Sequence, residues 1–202
     1  MTTASTLEVP TERTRLTYER YLAEFLTEPV ETRICEIIDG ERICMTSPNW
    51  RHQKISFILA KILDAHAAIQ GKAQVLQAPF DVLVEQSPLR VRQPDIFVVS
   101  DETLKRVGGA PDLGPLTVPP ELVVEILSPS ESRRILGDKI RDFCAIGVQE
   151  CWVISPEGET IEVLRLSSAS AERVGIFGSG QQVHSSAFAG LMLNVTDIFA
   201  NS

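Results

Sequence analysis

Leu122 to Leu127 reads LVVEIL and is apolar at every position but one. Both alternating faces of such a strand are apolar, so it has to lie inside a sheet that is covered on both sides. After it, "SESRRILGDKIRDFCAIG" has helical spacing and ends near Gly147, and "ECWVIS" is strand-like again. The unit from Glu121 to Ser155 is long enough for a right-handed crossover, which predicts two parallel strands. This one segment commits the chain to a layered architecture of helix on sheet.

The remaining segments fit that frame. "LTYERYLAEFL", Leu16 to Leu26, is a short amphipathic helix with Thr17 as its N-cap. "RICEIIDGERICM" is a hairpin turning at Asp39-Gly40. In "SPNWRHQKISFILAKILDAHAAIQG", Ile55, Ile58, Leu59, Ile62, His66 and Ile69 recur at helical spacing before a stop at Gly71. "KAQVLQAPFDVLVE" gives two short strands divided near Pro79, and "QPDIFVVS" a third, entered by a proline. "DETLKRVGGAPDLGPLTVPP" reads as a surface loop. Further strands follow "ECWVIS" after a turn at Pro156 to Glu159, and "LMLNVTDIF" closes the chain as a strand or short helix. The predicted class is α/β in the broad sense: an α+β mixed sheet flanked by helices.

The chain's 202 residues suit one domain over 16–202, preceded by a short mobile tail over 1–15. No apolar run approaches the roughly 20 residues that span a bilayer. The first residues lack the pattern of a secretory signal, so a cytoplasmic protein with no membrane role is expected. Cys35, Cys44, Cys144 and Cys151 show no CxxC spacing and are expected as buried free thiols. A net charge of -8 weighs against nucleic acid, although 14 of the 19 basic residues are arginine, the better phosphate fork.

Four polar residues interrupt the apolar pattern. Asp95 heads "IFVVS", Glu125 sits mid-strand, Lys139 lies on the following helix and His52 opens the long helix. An ionised acid inside a sheet is costly to desolvate unless it is paired or ligates a metal. If the strands of Asp95 and Glu125 are neighbours, the two carboxylates converge, and such hard oxygen ligands suit magnesium or manganese. The alternative has Asp95 capping a turn and Glu125 paired with an arginine. Lys139 borders the buried face of its helix and either aims its ammonium at the sheet's end or snorkels beside Asp138 or Asp142. His52 is a structural histidine or a group lining a site. Glu36, in "ICEIIDG", reads as a surface charge. Nucleotide-binding glycine loops, GxSxG and zinc-ligand spacing are absent, and no organic cofactor is expected.

These residues resemble a known family. "EIIDGERICMTSP", His52, "QPDIFVVS", "ELVVEILSPS" and "GVQECWVISP" occur in the order and spacing of the Uma-two-like restriction endonucleases, a branch of the PD-(D/E)XK nuclease superfamily. The resemblance covers roughly Leu16 to Phe199. It implies a restriction endonuclease-like core and divalent-metal hydrolysis of DNA phosphodiester bonds. Asp95 and Glu125 would be the ligands of Mg2+ or Mn2+. The superfamily lysine position holds Leu127, and Lys139 matches the helix lysine of this branch. Glu36 and His52 match secondary site positions. Ile135 stands where the family has an aspartate, which predicts a less restrained Lys139. Cys35, Phe143 and Cys151 replace common tyrosines, and Ser155 an aspartate.

Two readings follow. One is a metal-dependent endodeoxyribonuclease, plausibly a homodimer because cutting both strands takes two sites. The other is a catalytically weakened nuclease-fold protein that binds nucleic acid or a protein partner.

Overall fold

The computed structural model describes residues 15–25, 27, 35–44, 47–70, 72–111, 114–128 and 133–200. Residues 1–14 of the expected tail and the Gly71 helix stop lie outside the described residues. The elements, in chain order, are α1 (Tyr18–Phe25), β1 (Cys35–Ile38), β2 (Glu41–Cys44), α2 (Trp50–Gln70), β3 (Ala73–Gln77) and β4 (Val82–Gln86). Then come β5 (Leu89–Arg92), β6 (Ile96–Ser100), α3 (Asp101–Lys105), β7 (Leu122–Ile126), α4 (Arg133–Ile146) and β8 (Glu150–Ser155). The chain closes with β9 (Thr160–Ser167), β10 (Ser170–Phe177), β11 (Gln182–His184), β12 (Met192–Asn194) and α5 (Val195–Phe199). Among the described residues no helix is long and apolar enough to cross a membrane.

The larger sheet has the order β10-β9-β8-β7-β6-β3. Its one parallel pair is β7–β8, the crossover expected from the apolar run. A second sheet, β2-β1-β5-β4, is antiparallel throughout. The first hairpin turns at Asp39 and Gly40, both at positive φ, as a two-residue turn of matching twist requires. Gly40 is also hemmed in: a Cβ there would lie 2.9 Å from Arg15 Cβ.

The pleat sorts the central strands between two cores. Leu122, Val124 and Ile126 of β7 join Ile96, Val98, Trp152 and Ile154 against Ile55, Leu59 and Leu63 of α2. Val123 faces the other way with Phe97, Val99 and Val153, against Phe143 of α4. By the same alternation Glu125 belongs to the α4 side of the sheet.

One strand has no counterpart in the sequence reading, and two readings need correction. "SPLRVR" contains a strand, β5, that its arginines disguised; Arg92 is buried there by ion pairing rather than by apolar packing. The expected loop after β6 begins as a helix, α3, because Ser100 caps it by accepting from Thr103 N. Cys35 and Cys44 are not free thiols. Hairpin register sets them opposite each other and they form a disulfide. Cys144 and Cys151 are free and buried as expected, and burial holds the Cys151 thiol well above its ordinary pKa.

Glu150, at the start of β8, is a buried acid that holds the closing segment to the sheet. It accepts from Trp152 Nε1 at 2.7 Å, Ser186 N at 2.7 Å, Ser186 Oγ and Ala187 N. Glu150→Ala strands several donors and is expected to destabilise the protein by about 3 kcal/mol. Urea denaturation checks this, and a loss below about 1 kcal/mol would mean that water replaces the carboxylate.

Candidate functional site

Antiparallel pairing of β6 with β7 matches Ile96 to Val124, so Asp95, one residue earlier, comes opposite Glu125. Asp95 Oδ2 accepts from Ile126 N at 2.7 Å, which ties the acid to the end of β7. Glu125 is 1% exposed. Its Oε2 accepts from Lys139 Nζ at 2.6 Å, while its Oε1 is buried with no hydrogen-bond partner among the described residues. Lys139 is 6% exposed, so the snorkelling alternative does not hold. Asp138 bonds Arg141 instead, and Asp142 bonds arginines of β5.

His52 enters from the opposite layer. It lies in the first turn of α2, where its N–H donates to Asn49 Oδ1 at 2.9 Å, and its Nε2 is 3.4 Å from Asp95 Oδ2. The structure thus gathers Asp95, Glu125, Lys139 and His52 at one end of the larger sheet, with Lys139 from one helical layer and His52 from the other.

Glu36 is not a surface charge. It is buried, accepts from Arg92 Nη1 at 2.7 Å and from Gln93 N at 3.3 Å, and lies 4.0 Å from Lys139 Nζ. Arg92 also donates to Asp142 Oδ2 at 2.6 Å, and Arg90 to Asp142 Oδ1 at 2.7 Å. Beyond Gln93, Asp81 accepts from Gln93 Nε2 at 2.7 Å and from the Tyr21 hydroxyl at 2.5 Å. Reading the sequence missed Arg90, Arg92, Gln93 and Asp81, and took Asp142 only as a partner for a snorkelling Lys139. The available signal was the polar "RVRQPD" leading into Asp95, together with Asp142 one turn after Lys139 on α4.

Ile135 is 44% exposed, one turn before Lys139. Lys139 therefore takes its orientation from strand acids, with Glu125 at 2.6 Å and Glu36 at 4.0 Å, rather than from an acid on its own helix.

The carboxylates fit a hydrated hard cation. The buried, unclaimed Oε1 of Glu125 is an acceptor without a donor, opposite a second acid. No group of three or more His, Cys, Asp or Glu side chains gathers for a metal among the described residues. Two carboxylates with water and a phosphate suit magnesium or manganese, which are seldom caged wholly by protein.

Burial pushes Glu125 up to about 8, against the pull of the Lys139 ammonium and with the help of the Asp95 and Glu36 charges. Between about 4.5 and about 8 the folded protein therefore holds a proton that the unfolded chain has released. Stability falls as pH rises through that window. In EDTA, the denaturation midpoint is expected to fall over this range in wild type and to fall less steeply in Glu125→Gln. Identical slopes would assign the dependence to other groups.

The family described as Uma2, "Putative restriction endonuclease", matches residues 22–196. A crystal structure described as a "putative nuclease belonging to DUF820", from Anabaena variabilis ATCC 29413, shares the fold with a TM-score of 0.71. It is 23% identical, and the match covers 89% of this chain and 97% of that one. No functionally curated protein is significantly similar. A family match that runs through both sheets and every residue of the cluster leads to one conclusion: the chain belongs to the Uma2 family and has a restriction endonuclease-like fold of mixed sheets flanked by helices.

Proposed function

We propose that the protein is a divalent-metal-dependent endonuclease that hydrolyses DNA phosphodiester bonds. One observation carries this reading: buried Glu125, opposite Asp95, gives one oxygen to Lys139 and leaves the other unclaimed. Family membership supports it independently.

Asp95 and Glu125 would hold the cation. Bound Mg2+ or Mn2+ would supply Lewis-acid activation of water and neutralise phosphate charge. Lys139 contributes the protein's own positive charge. Its four-carbon stem lets the ammonium swing from Glu125 toward a phosphate and stabilise charge developing in the transition state. The bond from Ile126 N fixes one oxygen of Asp95 and so leaves its other oxygen for ligation. His52 sits where it can steady Asp95 or donate to a phosphate oxygen. Glu36 acts from behind as a positioning residue. Clamped by Arg92, it adds negative potential beside Lys139 and helps to hold that side chain in place. Cutting both strands takes two such sites, so the reading includes a symmetric homodimer.

Purified protein with supercoiled plasmid and magnesium or manganese is expected to nick or linearise it. Asp95→Asn and Glu125→Gln should abolish cleavage, and Lys139→Ala should slow it by about 100-fold or more. Equal cleavage by wild type, Asp95→Asn and Lys139→Ala would sink the reading. Manganese calorimetry separates the weakened alternative: uptake lost in Glu125→Gln without any cleavage would leave a protein that holds metal but does not cut.

A further inference from the structure

The outward face of α2 is not what a surface helix needs. Its inner face buries Ile55, Leu59 and Leu63. On the opposite side Trp50 is 82% exposed and Phe57 55% exposed. Seven residues make two helical turns, so the two rings lie on one face, about 10 Å apart along the axis. Lys54 and Lys61 fall on the same stripe at spacings of three, four and seven. Lys61 Nζ lies 5.4 Å from the centroid of the Phe57 ring. Large rings left in water contribute nothing to folding, and a stripe of them marks a binding face rather than a scattered exposure.

The charge around the stripe is equally uneven. The chain carries 27 acids, yet none falls between Glu41 and Asp64. Arg51, within that interval, is paired with Glu159 at 2.7 Å, so Lys54 and Lys61 set the charge of the outer face. The stripe and the candidate site share the first turn of α2 but on different sides of it: Trp50 faces solvent, while His52, two residues on, turns inward and reaches Asp95.

We propose that this face of α2 binds a single-stranded stretch of nucleic acid, with bases stacked on Trp50 and Phe57 and phosphates on Lys54 and Lys61. The inference rests on the nuclease reading of the adjacent site and narrows its substrate to a strand with unpaired bases near the scissile phosphate. Stacking platforms interleaved with basic residues suit single strands because the π-faces of paired bases are covered. An apolar contact with a second copy of the chain would have no use for the lysines of a stripe that meets its first acid only at Asp64, beyond Lys61.

The experiment exploits the tryptophans. There are only two, Trp50 and Trp152, and Trp152 is fully buried, so solvent-exposed emission comes from Trp50. Wild-type protein in EDTA is titrated with a short oligodeoxythymidylate and with a duplex of equal length. The single strand should quench Trp50 and bind more tightly than the duplex. Phe57→Ala should weaken it by about tenfold. The Lys54→Ala, Lys61→Ala double variant should reduce the slope of log affinity against log salt by about 1.4. Trp50, Phe57 and Lys61 are exposed and Lys54 is half-buried, and unchanged thermal unfolding confirms that the variants are folded.

No quench, affinity unchanged in both variants, or a duplex bound as tightly as the single strand would overturn the proposal. So would a dimer that Phe57→Ala dissociates while oligonucleotide affinity stays the same, since the face would then join two copies. Binding is read without metal or cleavage. Failure to cut with Trp50-dependent binding intact removes only the nuclease reading, whereas cleavage with unchanged affinity in the variants removes only this surface.

Discussion

The contact between Lys139 and Glu125 organises the structure around it. A carboxylate 1% exposed in a central strand would be prohibitive alone, and a lysine buried in a helix face equally so. At 2.6 Å each offsets part of the other's desolvation, and the contact fixes how α4 sits against β7. The offset is incomplete. Glu125 keeps a buried oxygen with no donor among the described residues, and burial still outweighs the lysine in setting its pKa. A fold selected only for stability gains little from such a pair, since apolar residues of similar volume often do as well. That incompleteness is the observation on which the proposed cation rests.

Around this pair the second sheet acts as a brace. Arg92 on β5 joins Glu36 on β1 to Asp142 on α4, and Arg90 adds a second link from β5 to Asp142. The second sheet is thereby tied to α4 through ion pairs at the place where Lys139 emerges. Asp95 and His52 complete the cluster from β6 and α2. One helix, α2, borders the acids through His52 and presents the aromatic stripe on its opposite side. Site and surface follow from a single register: β6 against β7 sets the acids, and the N-terminal end of α2 lies over that pair.

The apolar elements were readable because their signal is local. The Asp39-Gly40 turn, the α2 periodicity, the apolar β7 run and the crossover to β8 each depend on residues near in sequence, and each is present. The misses share one cause. β5 escapes the sequence reading because Arg90 and Arg92 are polar and their partners lie some fifty residues away on β1 and α4. Glu36 looked like a surface charge for the same reason. The Cys35–Cys44 bond depended on hairpin register, which composition does not report.

By itself the sequence determined the layered class, the crossover and the candidates Asp95, Glu125, Lys139 and His52, because hydrophobic period and polar interruption are properties of short segments. Tertiary structure alone decided which charges meet. It set Asp95 opposite Glu125, turned Lys139 inward to meet Glu125, sent Asp142 to the arginines and left Trp50 and Phe57 in solvent. The reason is physical: periodicity assigns a residue to a face of its element, but the free energy of a buried charge depends on what packs against that face.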